Sequence, residues 1–511
     1  MASASAQPPP SQEAAPQGAD PARPPLQEAV DVVVVGAGLA GLTAAGALQR
    51  AGLSVRVLEA APRAGGRLRR TRLEWPGGRA WVDLGGQWVG PTQTRMLALL
   101  DRAGLERFPS PHGGETVLHF SGERCTFSGF FQGFPEGQPP AVPQEDWDDA
   151  MQALERFNAL AAALPADGHP HRAAGAAELD RRSFQEWIDA NTRTPFARWY
   201  FAYFCRAVGF LGPAEPEQVS LLHVLWGQRS APQAEHPEEE LIHGGAGALL
   251  PHLLGELGAE SELDAGTVRL EEPVQRIVQD DASAAGDASP AAAWPVRVES
   301  SRASHPCRAV IVAMPPSQAS AIAFTPELPA DRRALQAGMA MGCCAKVLIA
   351  YASPWWREQG LSGIGIGDLP TLELCADSSD PRSGAGVLAT FVVGHRHGVW
   401  SVLDAERRRQ AVLDDLVALF GPRAASPLAY QEQDWPREPF VGGAYAAWMP
   451  PGLWSAAGEA LRRPHGRVYW AGTETATRWA GFFDGAVRSG EAAAEAVRQA
   501  LSDNGQRMAS G

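Results

Sequence analysis

Residues 30–60 read VDVVVVGAGLAGLTAAGALQRAGLSVRVLEA. The four consecutive valines Val32–Val35 are β-branched, and such a run fits a strand buried on both faces. Gly36-Ala37-Gly38-Leu39-Ala40-Gly41 follows as GxGxxG. An apolar helix then runs to Gly52, and a second strand, Ser54 to Leu58, delivers Glu59 at its end. This is a βαβ unit with the spacing of a dinucleotide site. Gly36 permits the tight turn, Gly38 lets backbone approach a pyrophosphate, and Gly41 lets helix and strand pack closely. The helix N-terminus offers unpaired N–H groups and partial positive charge to phosphates. Glu59 is placed to take a ribose hydroxyl. A glycine-rich turn in an ordinary α/β domain would share the GxGxxG, but not the strand before it and the acid after it.

The rest of the chain elaborates this unit. Its 511 residues exceed what one core organises, so two or more domains are expected. Hydrophobic content of 45% and charged content of 20% are those of a globular protein in water. A net charge of -14 argues against a nucleic-acid surface. Six cysteines are scattered without CxxC or zinc-ligand spacing, which points to reduced thiols, a cytoplasmic setting and no metal. Residues 1–29 are rich in Pro, Ala and Gln, with no signal-like apolar run, and read as a disordered tail. No stretch of about 20 apolar residues occurs, so no membrane span is expected. The chain closes on a polar tail, 502–511.

Downstream, Gly65-Gly66-Arg67 suits a loop closing over a pyrophosphate, with a forked cation for its oxygens. Alone, Arg67 would read as a surface arginine; its place just after Glu59 reverses that. The segment VDLGGQWVGP, 82–91, ends a short strand on paired glycines that admit a flat ligand. Between 108 and 239 aromatics and prolines become dense, and helical patterns run over Trp147–Leu164, Ser183–Asn191 and Phe196–Phe210. The aromatics of 199–204 read as core rather than a ligand cage. Strand patterns recur at Thr267–Leu270, Val274–Val278, Pro295–Glu299 and Arg308–Ala313, with a solvated hairpin loop expected over Asp280–Ala293. In the strand Cys343–Tyr351, alternation puts Lys346 on one face with Cys344 and Leu348. A lone ammonium there is costly unless it finds water or a partner, or snorkels out at a sheet edge. Near the C-terminus come Asp434-Trp435, then GGAY at 442–445 and MPPG at 449–452. A strand, a glycine-rich turn and an Ala-rich helix to Leu501 follow, in VYWAGTETATRWAGFFDGAV, 468–487. A helix starting near Gly481 aims its positive end at whatever precedes it.

Taken together, GAGLAG with EAAPRAGGR, VDLGGQWVGPTQ, GGAY with MPPG, and VYWAGTETATRWAGFFDGAV resemble the flavin-dependent amine oxidases of the monoamine oxidase family. The likeness runs from Val30 to Gln499. It implies an α/β fold: a glutathione-reductase-type FAD domain assembled from 30–107, 240–318 and 425–501, and an α+β substrate domain inserted at 108–239 and 319–424. It also implies FAD contacts from Gly36, Ala37, Gly38, Ala40 and Gly41, from Glu59 and Ala60, and from Gly66 and Arg67. Further contacts are implied from Leu84, Gly85, Gly86, Gln87 and Trp88, from Val274, from Gly472, Thr473 and Glu474, and from Gly481, Phe482 and Ala486. Lys346 falls on the family lysine that reaches flavin N5 through a water, and Trp435 on a tryptophan packed near the ring. Tyr445 and Phe482 fall on the two aromatic walls flanking the substrate amine. The second wall is usually tyrosine, so Phe482 lacks a hydroxyl. Where covalent relatives carry the GGCY cysteine this chain has Ala444, which implies non-covalent FAD.

The resemblance further implies oxidative deamination of a small amine. A hydride equivalent leaves the α-carbon, the imine hydrolyses to aldehyde or ketone, and O2 becomes hydrogen peroxide. No acid or base side chain is required if the amine binds deprotonated. A homodimer fits the family. A polyamine or diamine oxidase would want acids along its tunnel, among Glu235–Glu240 or Asp377. An L-amino-acid oxidase would want a cation for the carboxylate. A dehydrogenase using another acceptor and a non-catalytic flavoprotein interaction module complete the alternatives.

Overall fold

A computed structural model of the chain describes residues 25–129, 138–208, 212–231, 238–258, 266–280 and 293–509. The tail before Pro25, residues 235–237 and nearly all of the expected hairpin loop at 280–293 lie outside them.

The valine run is the strand Val30–Val35, and Val32, Val33 and Val34 are wholly buried. It sits in the middle of an eight-stranded sheet, parallel to Ser304–Ala313 on one side and Val55–Leu58 on the other. Val468–Ala471 runs parallel beyond Ser304–Ala313, and Val268–Arg269 beyond Val55–Leu58. Register aligns Val35 with Leu58 and with Val312, and Val312 with Trp470. The carboxyl ends of these strands therefore open on one crevice, where open α/β sheets bind ligands. The helix Leu39–Arg50 packs on the C-terminal helix Phe483–Ala509. Gly490 permits this approach: a Cβ there would lie 2.3 Å from the Ala40 carbonyl oxygen. The two ends of the sequence thus share one core.

A second sheet of seven strands is mainly antiparallel, in the order Ala429–Asp434, Cys344–Tyr351, Gly386–Val393, Leu374–Asp377, Leu361–Gly367, Glu115–Phe120, Glu123–Phe127. Cys344–Tyr351 is buried at every position. One face carries the helix Ala405–Phe420; the other meets the aromatic helices, including Gln144–Ala162, Phe184–Asn191, Pro195–Tyr203 and Leu221–Ser230. Tyr200, Phe201, Tyr203 and Phe204 are buried core, as expected. Ser183 caps its helix with a full capping box.

Several boundaries differ from expectation. The helix expected over Phe196–Phe210 ends at Tyr203 and continues as a π turn, Phe204–Val208, in which Arg206 turns inward to Glu373 at 2.6 Å; residues 209 and 210 lie outside the described residues. Ala323–Thr325 pairs with Val274–Gln279 in the first sheet, past the expected boundary at 318. Ala429–Asp434 belongs to the second sheet, past the boundary at 424. Neither strand carries a composition change that would mark it. The final helix runs through Ala509 instead of ending at Leu501, across the expected polar tail. No helix among the described residues is long and apolar enough to cross a membrane.

Candidate active site

The crevice continues between the two sheets as a cavity of about 370 Å³. At one end stands the dinucleotide turn. Gly36 holds φ +103°, and a Cβ there would lie 2.6 Å from the Ala313 carbonyl oxygen. A Cβ on Gly41 would lie 2.0 Å from the Gly36 oxygen. These two glycines are demanded by the fold. Gly38 is different: its backbone is extended, and a Cβ would meet no protein atom within 4 Å. That open space faces the cavity.

Glu59 accepts the Ala37 N–H at 2.7 Å and the Ala61 N–H at 2.9 Å. Each carboxylate oxygen keeps a lone pair for a hydroxyl donor. Burial raises its carboxyl above the ordinary value, against these two bonds. The Gly65 N–H donates to the Ala37 oxygen at 2.8 Å, which lays the Gly-Gly-Arg loop on the turn. Both long helices, Leu39–Arg50 and Phe483–Ala509, begin at the cavity wall: Leu39, Phe483 and Ala486 line it. Two positive helix ends, an uncovered glycine and a buried acid on the cavity wall fit an anionic dinucleotide.

At the other end, Lys346 is buried and donates to the Gly85 oxygen at 2.8 Å and to Gln87 Oε1. Gln87 is held in turn by Ser378 at 2.6 Å. The Lys346 ammonium lies 5.7 Å from the ring centres of both Trp88 and Phe391. Burial lowers its pKa to about 8, opposed by the nearby Asp83 carboxylate. Asp83 is itself pushed up to about 6 by burial, against Lys346 and the N–H groups of Ala246 and Gly247. Lys346 is the only lysine in the chain; the other cations counted with it are arginines. Arginine cannot release its proton near neutrality, whereas a buried amine can. With lysine labelled at its side-chain nitrogen, the protein is expected to show one Nζ resonance titrating near pH 8. Asp83→Asn is expected to lower that midpoint. A midpoint near the ordinary value of about 10.4 would refute the assignment.

Tyr445, Phe482 and Trp435 line the same cavity. The Tyr445 hydroxyl donates to the Ala207 oxygen at 3.2 Å, and its ring meets Phe391 edge-on at 6.0 Å. Burial raises the phenol well above its ordinary value, so it stays protonated. Trp435 donates Nε1–H to the Leu84 oxygen at 3.0 Å. Phe482 packs edge-on against Trp479 at 5.0 Å.

Most of the motif residues converge here: Gly36, Gly38, Ala40, Glu59, Ala60, Gly66, Arg67, Gly85, Gly86, Gln87, Trp88, Val274, Gly472, Thr473, Gly481 and Ala486 line the cavity. Four do not. Ala37 acts through its N–H, Gly41 lies beneath the turn, and Leu84 serves as the acceptor for Trp435. Glu474 pairs with Arg67 at 2.7 Å. Arg67 also donates to the Tyr445 carbonyl at 2.8 Å, so it ties the aromatic wall to the C-terminal motif. Of the acids considered for a tunnel, Glu238 lines the cavity. Asp377 is buried on Trp356 and Arg357, and Glu240 pairs with Arg107. Phe391, Arg63 and Glu438 also line it and were not anticipated. Phe391 stands directly opposite Lys346 in the ladder, a pairing no local pattern reveals. Cys344 lines the cavity as well, but burial pushes its thiol far above the ordinary range and keeps it neutral.

Comparison with known proteins agrees on the family and differs on the substrate. A family model described as flavin containing amine oxidoreductase matches residues 39–498. The chain is 51% identical to an L-amino acid dehydrogenase of Synechocystis sp. over 91% of this chain and 94% of that one. It superposes on cyclohexylamine oxidase from Brevibacterium oxydans with a TM-score of 0.81 at 31% identity, covering 93% of this chain and 100% of that one. Putrescine oxidase bound to putrescine gives 0.81 at 29% identity, covering 92% and 99%.

Proposed function

Because this chain belongs to the flavin containing amine oxidoreductases, with FAD as cofactor, we propose that it oxidises the CH–NH2 carbon of a small amine and passes the electrons to oxygen. One observation carries the reading. A single cavity joins the dinucleotide turn of Gly36, Gly38 and Glu59 to Lys346, Tyr445 and Phe482. FAD supplies a two-electron sink that no side chain offers. The protein's share is placement. Tyr445 and Phe482 present ring faces that orient an amine. Trp88, Phe391 and Trp435 make the surroundings apolar, which favours a neutral amine over its ammonium form. Lys346 holds a proton at Nζ, in a site where its titration near neutrality lets it be kept or released. Ala444 leaves no thiol at the GGAY position, and the Cys344 thiol is kept neutral, which supports non-covalent FAD.

A second reading, an L-amino acid as substrate with an acceptor other than oxygen, is favoured by the 51% identical relative. It needs a cation for the carboxylate. Among the described residues, the cations lining the cavity are Arg63, Arg67 and Lys346. Arg63 and Arg67 are already engaged by Glu438 and Glu474, each at 2.7 Å. Glu238 on the same wall would repel a carboxylate. The geometry therefore favours an amine. The deciding experiment is a panel of amines and L-amino acids on the purified yellow protein, read in parallel by peroxide formation and by reduction of a dye. Turnover of amines with stoichiometric peroxide is expected. Turnover of L-amino acids with dye alone would replace the first reading by the second. Acid precipitation is expected to leave the colour in the supernatant; a yellow pellet would overturn non-covalent attachment.

A further inference from the structure

Alternation along Cys343–Tyr351 puts Cys344 and Lys346 on the cavity face and Cys343 on the other. Cys343 has company there. Its sulfur lies 3.2 Å from His397 Nδ1, and His397 Nε2 lies 2.9 Å from Asp434 Oδ1. The three groups come from three elements locked together by backbone. The Gly394 N–H, at the start of the helix Gly394–Trp400 that carries His397, donates to the Cys343 oxygen at 3.0 Å. Asp434 ends the strand Ala429–Asp434, in register with Ala345. Cys343 N–H donates to the Pro213 oxygen at 3.0 Å.

Thiol, imidazole and carboxylate in line are the parts of an activated sulfur nucleophile: the acid orients the ring, and the ring pairs with the sulfur. Burial alone would depress His397, but the bonds from Asp434 and Cys343 outweigh it and raise its pKa to about 9. The imidazolium therefore persists at neutral pH. The charged neighbours leave this pairing intact. Arg437 approaches the other oxygen of Asp434 at 3.4 Å. On the same helix, His395 turns to Glu215 at 2.9 Å and Arg396 to Glu373. Cys343 is half-buried, whereas Cys205, Cys307, Cys344 and Cys375 are buried with thiols raised by desolvation.

We propose that Cys343, His397 and Asp434 form a reactive-thiol site, separate from the amine cavity, at which a hydroperoxide oxidises Cys343 to a sulfenic acid. The thiolate sulfur attacks one peroxide oxygen and the O–O bond breaks. His397 gives its proton to the departing oxygen. Sulfur loses two electrons, the peroxide gains them, and Cys–S–OH is formed with one water or alcohol.

The test uses the flavin-loaded protein without amine. At about pH 6.5, with the His397 ring 3.2 Å from its sulfur to offset developing negative charge, Cys343 should be alkylated by iodoacetamide at least about tenfold faster than half-buried Cys125. Hydrogen peroxide with dimedone should mark Cys343. His397→Gln and Asp434→Asn should each cut that adduct by about tenfold. Equal alkylation of Cys343 and Cys125, or an undiminished adduct in a yellow His397→Gln protein, overturns the proposal. Should both variants lose their flavin, the comparison of the two cysteines within the unaltered protein decides alone.

Discussion

Gly38→Val is expected to give a folded protein without its yellow colour. Gly38 needs no glycine for its own backbone, which is extended at φ -75° and ψ 176°. A Cβ there meets no protein atom within 4 Å, because the direction it takes is the cavity. A valine side chain would therefore burden only the ligand, at the point where the βαβ geometry brings backbone to a pyrophosphate. We expect FAD binding to weaken on the order of 10²-fold, about 3 kcal/mol, with circular dichroism unchanged. Gly41→Val is the contrasting case. Its side chain would collide with the Gly36 carbonyl, and folding itself should fail. If Gly38→Val retained a full complement of flavin, the dinucleotide would have to lie elsewhere.

Lys346→Met is expected to separate the two halves of the catalytic cycle. Methionine matches the length and apolar stem of lysine but removes the ammonium held between Trp88, Phe391, Gly85 and Gln87. Removal of a hydride equivalent from an amine carbon requires no proton from Lys346, so reduction by substrate should change by no more than about threefold. Electron return to oxygen builds negative charge, which a buried cation stabilises far better than bulk water does. That step should slow on the order of 10²-fold. Lys346→Arg should not fully restore it, since a planar guanidinium cannot take the place of an ammonium that donates to both the Gly85 oxygen and Gln87 Oε1. Stopped-flow traces of the two half-reactions make the comparison. Equal slowing of both, or of neither, would remove Lys346 from the oxygen step. Burial of the lysine bears on pH as well. Lys346 binds a proton less readily in the folded chain than in the unfolded one, so its burial penalty is present below about pH 8. That penalty fades between about pH 8 and about pH 10.4, where stability should rise.

Much of the site was legible because its signals are local. A run of valines, three glycines at fixed offsets and an acid at the next strand end are backbone requirements written within about thirty residues. Alternation alone put Lys346 on the Cys344 side of its strand, although only the fold decided that the ammonium is buried there rather than snorkelling out at a sheet edge. The missing thiol at Ala444 needed no coordinates either. Other features are relations between distant segments. Asp83, whose carboxylate opposes the effect of burial on Lys346, lies more than two hundred residues earlier. Phe391 reaches the ammonium only through strand register, and Glu238 rather than Asp377 faces the cavity because Asp377 is drawn away by Trp356 and Arg357. The Cys343–His397–Asp434 chain is invisible in the sequence for the same reason, its members being spread over three elements.

The order of amino acids by itself determined the turn that can receive a dinucleotide, the faces of the strands, and the presence of one titratable ammonium among arginines. Only the tertiary structure decided that the turn, that ammonium and the two aromatic walls share one cavity. The reason is physical: φ/ψ preference and side-chain periodicity act over a few residues, whereas which surfaces meet is settled by burying apolar area across the whole chain.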